Sequence, residues 1–355
     1  MRMTRLRITG TAALQQLALG LTLLLCGVVG WIGSMAMLLA LVLLLILLPV
    51  LLIGLEVIWA ARSGREQAAL IGREPLTDGQ WWRIWRDESL LFLRLALWRL
   101  PFGERSQADA LGQAGQRGVL FIHGYLSHRG LWAEWQAALH RRGHASLSIS
   151  LHPALASIDT WAVQIENAVQ TLEASTGLAP LVVAHSLGGL ALRAWWRWQC
   201  QQGIDPTQAA ERVHSVVTVA CPHQGLEGPG HWFPGSPVRE ARSGSAWLQE
   251  LAAVETVLWR SRFLCILSDG DNIVFPVQQA LLPDARILSV SACGHLQLLF
   301  DKAVRREVLQ LLQESSPVCV SRFDLPEGVE LDFNSTGAFV HTDVHSEPTR
   351  PGEGG

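Results

Sequence analysis

The stretch that decides the fold is Leu181-Val182-Val183-Ala184-His185-Ser186-Leu187-Gly188-Gly189. An apolar run ends abruptly at a serine, and small residues then lead into a helical pattern. This order is typical of a sharp turn between a strand and a helix that exposes a nucleophilic hydroxyl. The turn crowds the backbone, so its neighbours have to be small. Gly188 meets that need, and Ala184 stands where the usual pattern has glycine. Because a serine among small residues also occurs by chance, the assignment depends on finding its partners elsewhere.

Short apolar runs alternate with helical patterns on both sides of this stretch. The runs are continuous rather than alternating, which is expected of strands whose two faces are both covered. Alternation of strands with helices predicts a parallel sheet with right-handed crossovers. The expected fold class is therefore α/β, with helices on both faces of a mostly parallel sheet. The strand candidates are Gly118–Ile122, Ala145–Ile149, Leu181–Ala184, Ser215–Ala220, Phe263–Leu267 and Ala285–Val290. The helix candidates are Leu131–Arg142, Ile158–Thr176, Leu187–Gln202 and Asp301–Gln313.

Two carboxylates follow the fifth predicted strand, in Ser268-Asp269-Gly270-Asp271-Asn272. One of them is expected to orient the catalytic base and to stabilise its imidazolium form. We assign Asp271 to this role, because an apolar pair and Pro276 follow it and would fix the loop. Asp269 remains the alternative. The same residues are good turn formers, so a turn without a catalytic role is the competing interpretation.

The candidate base is His295, which follows the last predicted strand in Ala292-Cys293-Gly294-His295-Leu296. Of the twelve histidines, only three lie beyond Asp271, and the other two, His341 and His345, fall in the polar tail. The resulting order is Ser186, Asp271, His295, with each residue on a loop after a strand. α/β-Hydrolases use this order, and other serine hydrolase folds do not.

The backbone N–H groups of Tyr125 and Leu187 are the candidate oxyanion hole. Tyr125 ends Phe121-Ile122-His123-Gly124-Tyr125, directly after the first predicted strand, and Leu187 follows the nucleophile. Two N–H groups aimed at the negative oxygen of a tetrahedral intermediate stabilise it by several kcal/mol. We interpret the neighbouring His123 as a residue that stabilises the loop rather than as the base.

This chemistry needs neither a metal nor an organic cofactor, and we expect none. The six cysteines form no CxxC spacing, so neither zinc nor a redox pair is indicated. Cysteines without evident partners are typical of a reducing compartment. His341 and His345 lie four residues apart, but a lone pair in a polar tail does not indicate a metal site. The net charge of −3 predicts no attraction to nucleic acid, and the oligomeric state stays open.

Residues 14 to 60 are almost continuously apolar, about twice the ~20 residues that one membrane helix needs. Gly30, Gly33 and Ser34 interrupt the run, which predicts two helices near Ala13–Gly30 and Met35–Ala60. The run is too long for a cleaved signal peptide. Arginines flank both ends and the turn carries no charge, so both ends are expected in the cytoplasm. This predicts a multi-pass protein of the inner (cytoplasmic) membrane whose catalytic domain faces the cytoplasm. The flanking arginines are Arg2, Arg5, Arg7, Arg62, Arg65 and Arg73.

The 355 residues divide into four expected regions. Residues 1–62 form the membrane anchor, and residues 63–117 form an amphipathic juxtamembrane segment, rich in tryptophan and arginine, with a linker. Residues 118–314 form the catalytic domain, with a cap or lid insertion at about 222–260, and residues 315–355 form a polar, partly disordered tail. The insertion carries Trp232, Phe233 and Trp247, which are suited to contact acyl chains. A loop that only covers the sheet edge is the alternative.

The region from about Val119 to Leu312 resembles bacterial lipases and esterases of the α/β-hydrolase superfamily. Among these, it looks like the group similar to the catalytic domain of GPI inositol-deacylase. The resemblance implies carboxylic ester hydrolysis, with Ser186, Asp271 and His295 as the triad. Three departures are Ala184 at the elbow, Cys221 where related lipases often have Thr or Ser, and Gln224 at a frequently basic position. The matching segments are Phe121–Tyr125, Ser157–Asp159, Thr176–Gly177, Ala184–Leu190, Thr218–Gly225 and Ser243–Leu251.

The expected function is a membrane-anchored serine hydrolase that cleaves lipid or other apolar esters through an acyl-enzyme. Its expected partners are the ester substrate and the bilayer. An acyltransferase that uses the same triad is one alternative. A non-catalytic membrane interaction protein that retains a hydrolase fold is the other.

Overall fold

The computed structural model of this chain describes residues 10–32, 35–68, 74–228 and 235–314. Several predictions fall on residues outside these ranges. They concern the arginines that precede residue 10, Arg73, the aromatic pair Trp232 and Phe233, and the tail with its two histidines.

Six parallel strands form one sheet with the order β2-β1-β3-β4-β5-β6. Each strand lies where an apolar run predicts one, so the predicted fold class is confirmed. The strand order reverses between β1 and β3, which lie side by side, and the loops after the strands meet at one edge of the sheet. The strands are β1 Val119–Ile122, β2 Ser146–Ile149, β3 Leu181–His185, β4 Ser215–Val219, β5 Phe263–Leu267 and β6 Arg286–Ser289.

Thirteen α-helices occur among the described residues, and the predicted helices are all among them. Two begin as 3₁₀ turns, at Arg129–Trp132 and Ile158–Trp161, and a π-helical turn at Leu95–Arg99 joins α3 to α4. The bounds are α1 Gly10–Ile32, α2 Met35–Ala68, α3 Asp78–Arg94, α4 Leu100–Phe102, α5 Ala133–His140, α6 Ala162–Thr176, α7 Leu187–Gln201, α8 Pro206–Glu211, α9 Ser236–Glu240, α10 Ala246–Val254, α11 Val257–Arg260, α12 His295–Leu298 and α13 Lys302–Gln313.

Both faces of the sheet are covered, which explains why its central strands are apolar throughout. Leu120 and Ile122 of β1 pack in the cluster that contains α6 and α7. Val119 and Phe121 point the other way, into the cluster that contains Trp132 and α13. Side chains alternate between faces along a strand, so each face receives every second residue.

The helices α1 and α2 differ from the others because their apolar side chains are exposed. Segments Thr11–Val28 and Met37–Gly64 are long and apolar enough to cross a membrane, yet few of their residues are buried. One stripe of α2 is covered: Ile53 and Val57 pack against α3, in a cluster that also holds Phe275 of the loop after β5. The base of the hairpin therefore touches the rest of the protein, and the remainder stands clear of it.

Three short helices, α9 to α11, lie within the insertion predicted at residues 222–260. The insertion packs on the 3₁₀ turn before α6, where Glu240 accepts a hydrogen bond from the Ile158 N–H at 2.7 Å. The indole N–H of Trp247 donates to Asp159 at 3.1 Å, and the guanidinium of Arg197 lies over the Trp247 ring. These contacts tie the insertion to the segment that follows β2.

Candidate active site

The serine at the end of β3 has a strained backbone. Ser186 has φ 53° and ψ −128°, and it is the single residue between β3 and α7. A non-glycine residue with positive φ costs on the order of 1–3 kcal/mol, and such residues cluster at functional sites. The Ser186 N–H donates to the Val219 carbonyl of β4 at 2.9 Å, which holds the turn on the sheet. The strain therefore persists because the neighbouring strand fixes the chain on both sides of the serine.

Close backbone approach explains the glycines around the serine. A Cβ on Gly188 would lie 2.6 Å from the His123 carbonyl oxygen, closer than real Cβ contacts come. A Cβ on Gly124 would lie 2.8 Å from the Cβ of Ser186. The loop after β1 and the start of α7 therefore meet at the nucleophile, and neither position has room for a methyl group.

The alanine on the strand side of the elbow is accommodated. Ala184 is fully buried in β3, where it pairs with Ile122 of β1 and Thr218 of β4. The tight approach falls instead on the helix side, where a Cβ on Gly189 would lie 2.4 Å from the Cys221 sulfur. The departure at residue 184 thus removes no space that the turn needs.

The three predicted triad residues lie together at the carboxyl edge of the sheet. His295 Nε2 is 3.1 Å from Ser186 Oγ, and His295 Nδ1 is 3.0 Å from both Asp271 carboxylate oxygens. Their exposed fractions are 7% for Ser186, 3% for Asp271 and 6% for His295. Serine, histidine and carboxylate therefore form a continuous hydrogen-bonded chain in a nearly dry site.

Backbone hydrogen bonds decide which carboxylate reaches the histidine. Asp271 Oδ1 accepts from the N–H groups of Ile273 and Val274, at 2.8 Å and 2.9 Å. Asp269 instead accepts from the Ala292 N–H at 2.7 Å and from the Ser291 hydroxyl at 2.8 Å. Asp271 thus faces the imidazole, whereas Asp269 holds the loop that precedes it.

The imidazole of His295 lies among carboxylates. Burial lowers its pKa, but the charge and hydrogen bond of Asp271, with further contributions from Glu88 and Glu56, raise the pKa above its ordinary value. A base with a raised pKa holds its proton more strongly once it has taken it. The same carboxylates would stabilise an imidazolium at this position.

The loop after β1 is held by a neutral histidine. Burial lowers the pKa of His123 to about 3. Its Nε2 accepts from the Leu151 N–H at 2.8 Å, so its Nδ1 carries the hydrogen and donates to the Gly124 carbonyl at 2.7 Å. This brace fixes the turn on which Tyr125, one predicted oxyanion donor, follows. The other, Leu187, is the first residue of α7, where an N–H has no partner within the helix.

Four residues lie close to the predicted triad although the sequence did not predict a role for them there. Asn272 accepts from the backbone N–H of His295 at 3.2 Å and donates to Glu56 of α2 at 2.9 Å. Glu88 of α3 accepts from the two N–H groups that follow His295, at 2.7 Å and 3.1 Å. The His185 ring lies with its centroid 4.8 Å from that of His295. The one available signal was an isolated acidic residue, Glu56, inside an otherwise apolar segment.

A separate cavity of about 920 Å³ lies between α2 and α3. No triad residue lines it, so we do not assign the chemistry to it. Within residues 10–32, 35–68, 74–228 and 235–314, no group of three or more metal-binding side chains is placed to hold an ion. The cavity lining includes Leu51, Leu55, Ile58, Trp81, Trp82 and Trp85.

Comparisons with known proteins give likeness of structure only. No family model matches the chain, and no curated protein matches it. Lipase B of Aspergillus fumigatus is similar at 12% identity and a TM-score of 0.50, over 59% of this chain and 55% of the lipase. Lipase BlEst2 of Bacillus licheniformis, in its mature form, is similar at 14% identity and a TM-score of 0.48, over 57% of this chain and 94% of the lipase. Carboxylesterase CesB of Bacillus subtilis is similar at 16% identity and a TM-score of 0.39, over 57% of this chain and 86% of the esterase.

The chain spans about half the length of Aspergillus lipase B, 55% of it. The structural similarity to this lipase, together with the six-stranded parallel sheet, shows the α/β-hydrolase fold. Two N-terminal apolar helices, α1 and α2, precede that fold.

Proposed function

We propose that this protein is a membrane-anchored serine hydrolase that cleaves carboxylic esters with apolar acyl chains. The observation that carries the proposal is the hydrogen-bonded chain from Ser186 Oγ through His295 to Asp271, at 3.1 Å and 3.0 Å. Ser186, the first member of this hydrogen-bonded triad, lies on a strained turn that Gly124 and Gly188 approach closely, as a serine nucleophile requires. The similarity of the fold to that of a lipase, lipase B of Aspergillus fumigatus, supports an ester as the substrate.

Acylation begins when the substrate carbonyl lies beside Ser186. The hydroxyl proton passes to His295 Nε2, while Ser186 Oγ forms a bond to the carbonyl carbon. The carbonyl oxygen takes up the negative charge, and Asp271 stabilises the imidazolium through Nδ1. Collapse of this intermediate breaks the bond to the alkoxy group, which leaves as an alcohol with the proton from Nε2. The product of this half is an acyl-enzyme on Ser186.

Deacylation repeats the same steps with water. His295 Nε2 takes a proton from water, and the hydroxide oxygen bonds to the acyl carbon. The second tetrahedral intermediate then expels Ser186 Oγ, which regains its proton from His295. The carboxylic acid leaves, and both side chains return to their starting protonation states.

The N–H groups of Leu187 and Tyr125 are the proposed donors to the negative oxygen in both halves. Leu187 begins α7, whose positive dipole end lies at the nucleophile. The Tyr125 loop approaches Ser186 because Gly124 carries no side chain there. Removing one such donor typically costs 10²–10³ in kcat.

The exposed hairpin supports membrane attachment. From Met35 to Leu55, α2 carries no charge, and this span is about 30 Å long at 1.5 Å per residue. A bilayer core of about 30 Å matches that length. Trp59 and Trp82 are exposed near the charged end, as tryptophans at a membrane interface are. The flanking arginines favour the cytoplasmic side of the inner membrane for the catalytic domain.

We further propose the division into an anchor at residues 1–62, a juxtamembrane segment at 63–117, a catalytic domain at 118–314 with a cap at about 222–260, and a polar tail at 315–355. The contacts of Trp247 and Glu240 with the segment after β2 support a cap seated beside the site. The similarity to the GPI inositol-deacylase group and a bacterial origin stay predictions from the sequence.

An acyltransferase would use the same groups, with an alcohol or thiol in place of water in the second half. Product analysis with and without a competing alcohol separates the two activities. A non-catalytic membrane protein is the remaining alternative, and an assembled triad with a strained serine argues against it.

Labelling with a fluorophosphonate tests the proposal directly. The full-length protein in detergent is expected to label, Ser186→Ala is expected not to, and Ser261→Ala, a serine on a surface turn, is the matched control. Hydrolysis of p-nitrophenyl esters of increasing chain length then gives the acyl preference. Equal labelling of the wild type and Ser186→Ala would sink the proposal.

A further inference from the structure

The helix α2 carries one acidic residue where an anchor has no need of it. Glu56 is the only acidic residue between Met37 and Gly64, and its side chain is half-buried rather than turned to solvent. A carboxyl group placed in an apolar setting costs free energy unless hydrogen bonds compensate it. Glu56 therefore calls for an explanation beyond attachment to a bilayer.

Its hydrogen bond leads to the catalytic machinery. The side-chain amide of Asn272 donates to Glu56 Oε2 at 2.9 Å. The oxygen of the same amide accepts from the backbone N–H of His295 at 3.2 Å. Asn272 is the residue after Asp271, so one side chain connects the acid loop, the base loop and α2. An amide whose two ends are both engaged has its orientation set, because donor and acceptor cannot be exchanged.

The hairpin touches other loops around the nucleophile as well. Gln15 of α1 donates to the Leu126 carbonyl at 2.9 Å, directly after Tyr125. In the insertion, a Cβ built on Gly228 would lie 3.1 Å from the indole nitrogen of Trp59 of α2. The loops that carry the oxyanion donor, the acid and the cap thus all meet the base of α1 and α2.

We infer that α2 is part of the catalytic site as well as an anchor, and that Glu56 is a positioning residue that holds His295 and Asp271 in register through Asn272. The inference rests on the proposed hydrolase function and adds to it a role for the anchor. Glu56 touches no reacting atom. It orients the Asn272 amide, and that amide holds the backbone of His295. The distance from His295 Nε2 to Ser186 Oγ is set in this way.

A second carboxylate, Glu88, also fixes the loop that carries His295. Glu88 of α3 accepts from the N–H groups of Leu296 and Gln297, and α3 packs on α2 through Ile84 and Ile53. The base loop therefore lies between two carboxylates that both belong to the N-terminal helices.

The test uses the full-length protein in detergent, with a short, soluble p-nitrophenyl ester. Glu56→Ala and Asn272→Ala are expected to lower kcat by about 10²-fold, the loss typical of a misplacement near 1 Å, with KM little changed. The double variant is expected to lose no more than Asn272→Ala alone, because both remove the same connection. Glu56→Gln is expected to retain activity within a few-fold, because its amide oxygen still accepts from Asn272. Leu52→Ala, on the exposed face of α2, is the control.

Two variants keep the test decisive if Glu56→Ala does not fold. Glu56→Asp withdraws the acceptor by one methylene and is expected to lose kcat, whereas Glu56→Gln is not. Unchanged kcat in Glu56→Ala or in Glu56→Asp, or additive losses in the double variant, would overturn the inference. Wild-type labelling at Ser186 reports the proposed function separately. If the wild type labels and folded Glu56→Ala and Glu56→Asp label at its rate, the positioning role fails and the hydrolase stands.

Discussion

Replacing Asp271 with asparagine is expected to remove nearly all ester hydrolysis while the protein remains folded. In the wild type, Oδ1 accepts from the N–H groups of Ile273 and Val274, at 2.8 Å and 2.9 Å. An asparagine would keep its carbonyl oxygen at those donors and place its NH₂ group at the other oxygen, 3.0 Å from His295 Nδ1. An NH₂ group donates, so Nδ1 would have to accept and the ring proton would move to Nε2. Nε2 could then no longer take the proton of Ser186.

This tautomer change sets the expected magnitude. Loss of the correct tautomer costs about 10⁴-fold in kcat in a serine hydrolase with this triad. That factor corresponds to about 5.4 kcal/mol of lost transition-state stabilisation, at 1.36 kcal/mol for each tenfold change. KM is expected to change little, because Asp271 does not face the substrate position.

The assay compares kcat for Asp271→Asn and Asp269→Asn on the same soluble ester. Asp269→Asn is the matched control, because its carbonyl oxygen still accepts from the Ala292 N–H and the Ser291 hydroxyl can rotate to accept from the new NH₂. We expect it to stay within about tenfold of the wild type, with an unchanged melting temperature in both variants. If Asp269→Asn lost 10⁴-fold and Asp271→Asn did not, the assignment of the acid would be wrong.

Three further predictions follow from the site and its surroundings. The kcat/KM is expected to fall in acid with a midpoint above about 6.5, because the carboxylates around His295 raise its pKa and only the neutral ring accepts a proton; a lower midpoint in the pH profile would contradict this. Gly188→Ala is expected to lower both kcat and the melting temperature, since its Cβ would lie 2.6 Å from the His123 carbonyl oxygen, and a wild-type kcat would refute the crowding. Arg193→Met leaves the carboxylate of Glu255 buried without its partner, and urea unfolding is expected to show about 3–5 kcal/mol less stability; a loss under 1 kcal/mol would show that the pair is dispensable.

Much of the fold follows from local pattern. The runs Leu181–Ala184 and Phe263–Leu267 became strands because short, continuous apolar runs bounded by polar turns suit strands whose two faces are both covered. Ser186 was readable as the candidate nucleophile because the small residues Ala184 and Gly188 lie two positions to either side of it in sequence. The chain order with Asp271 and His295 then restricts the hydrolase class. These features depend on residues near one another along the chain or on order alone.

The choice between Asp269 and Asp271 was of another kind. Both follow β5, both suit a turn, and the sequence itself left the alternative open. In the tertiary structure, the backbone N–H groups after Asp271 turn that carboxylate toward His295, whereas Asp269 bonds to the loop that precedes the histidine, and this contact favours Asp271 as the acid.

The sequence by itself determined the covered parallel sheet, the serine turn and two helices apolar enough for a membrane. Each of them follows from the pattern of apolar and small residues along a short stretch of chain. Only the tertiary structure placed Glu56 against Asn272, a contact between residues 216 positions apart. No local pattern encodes such a contact, because it depends on how α2 and α3 dock on the finished sheet. That docking brings the base of the hairpin to the acid and base loops beside Ser186.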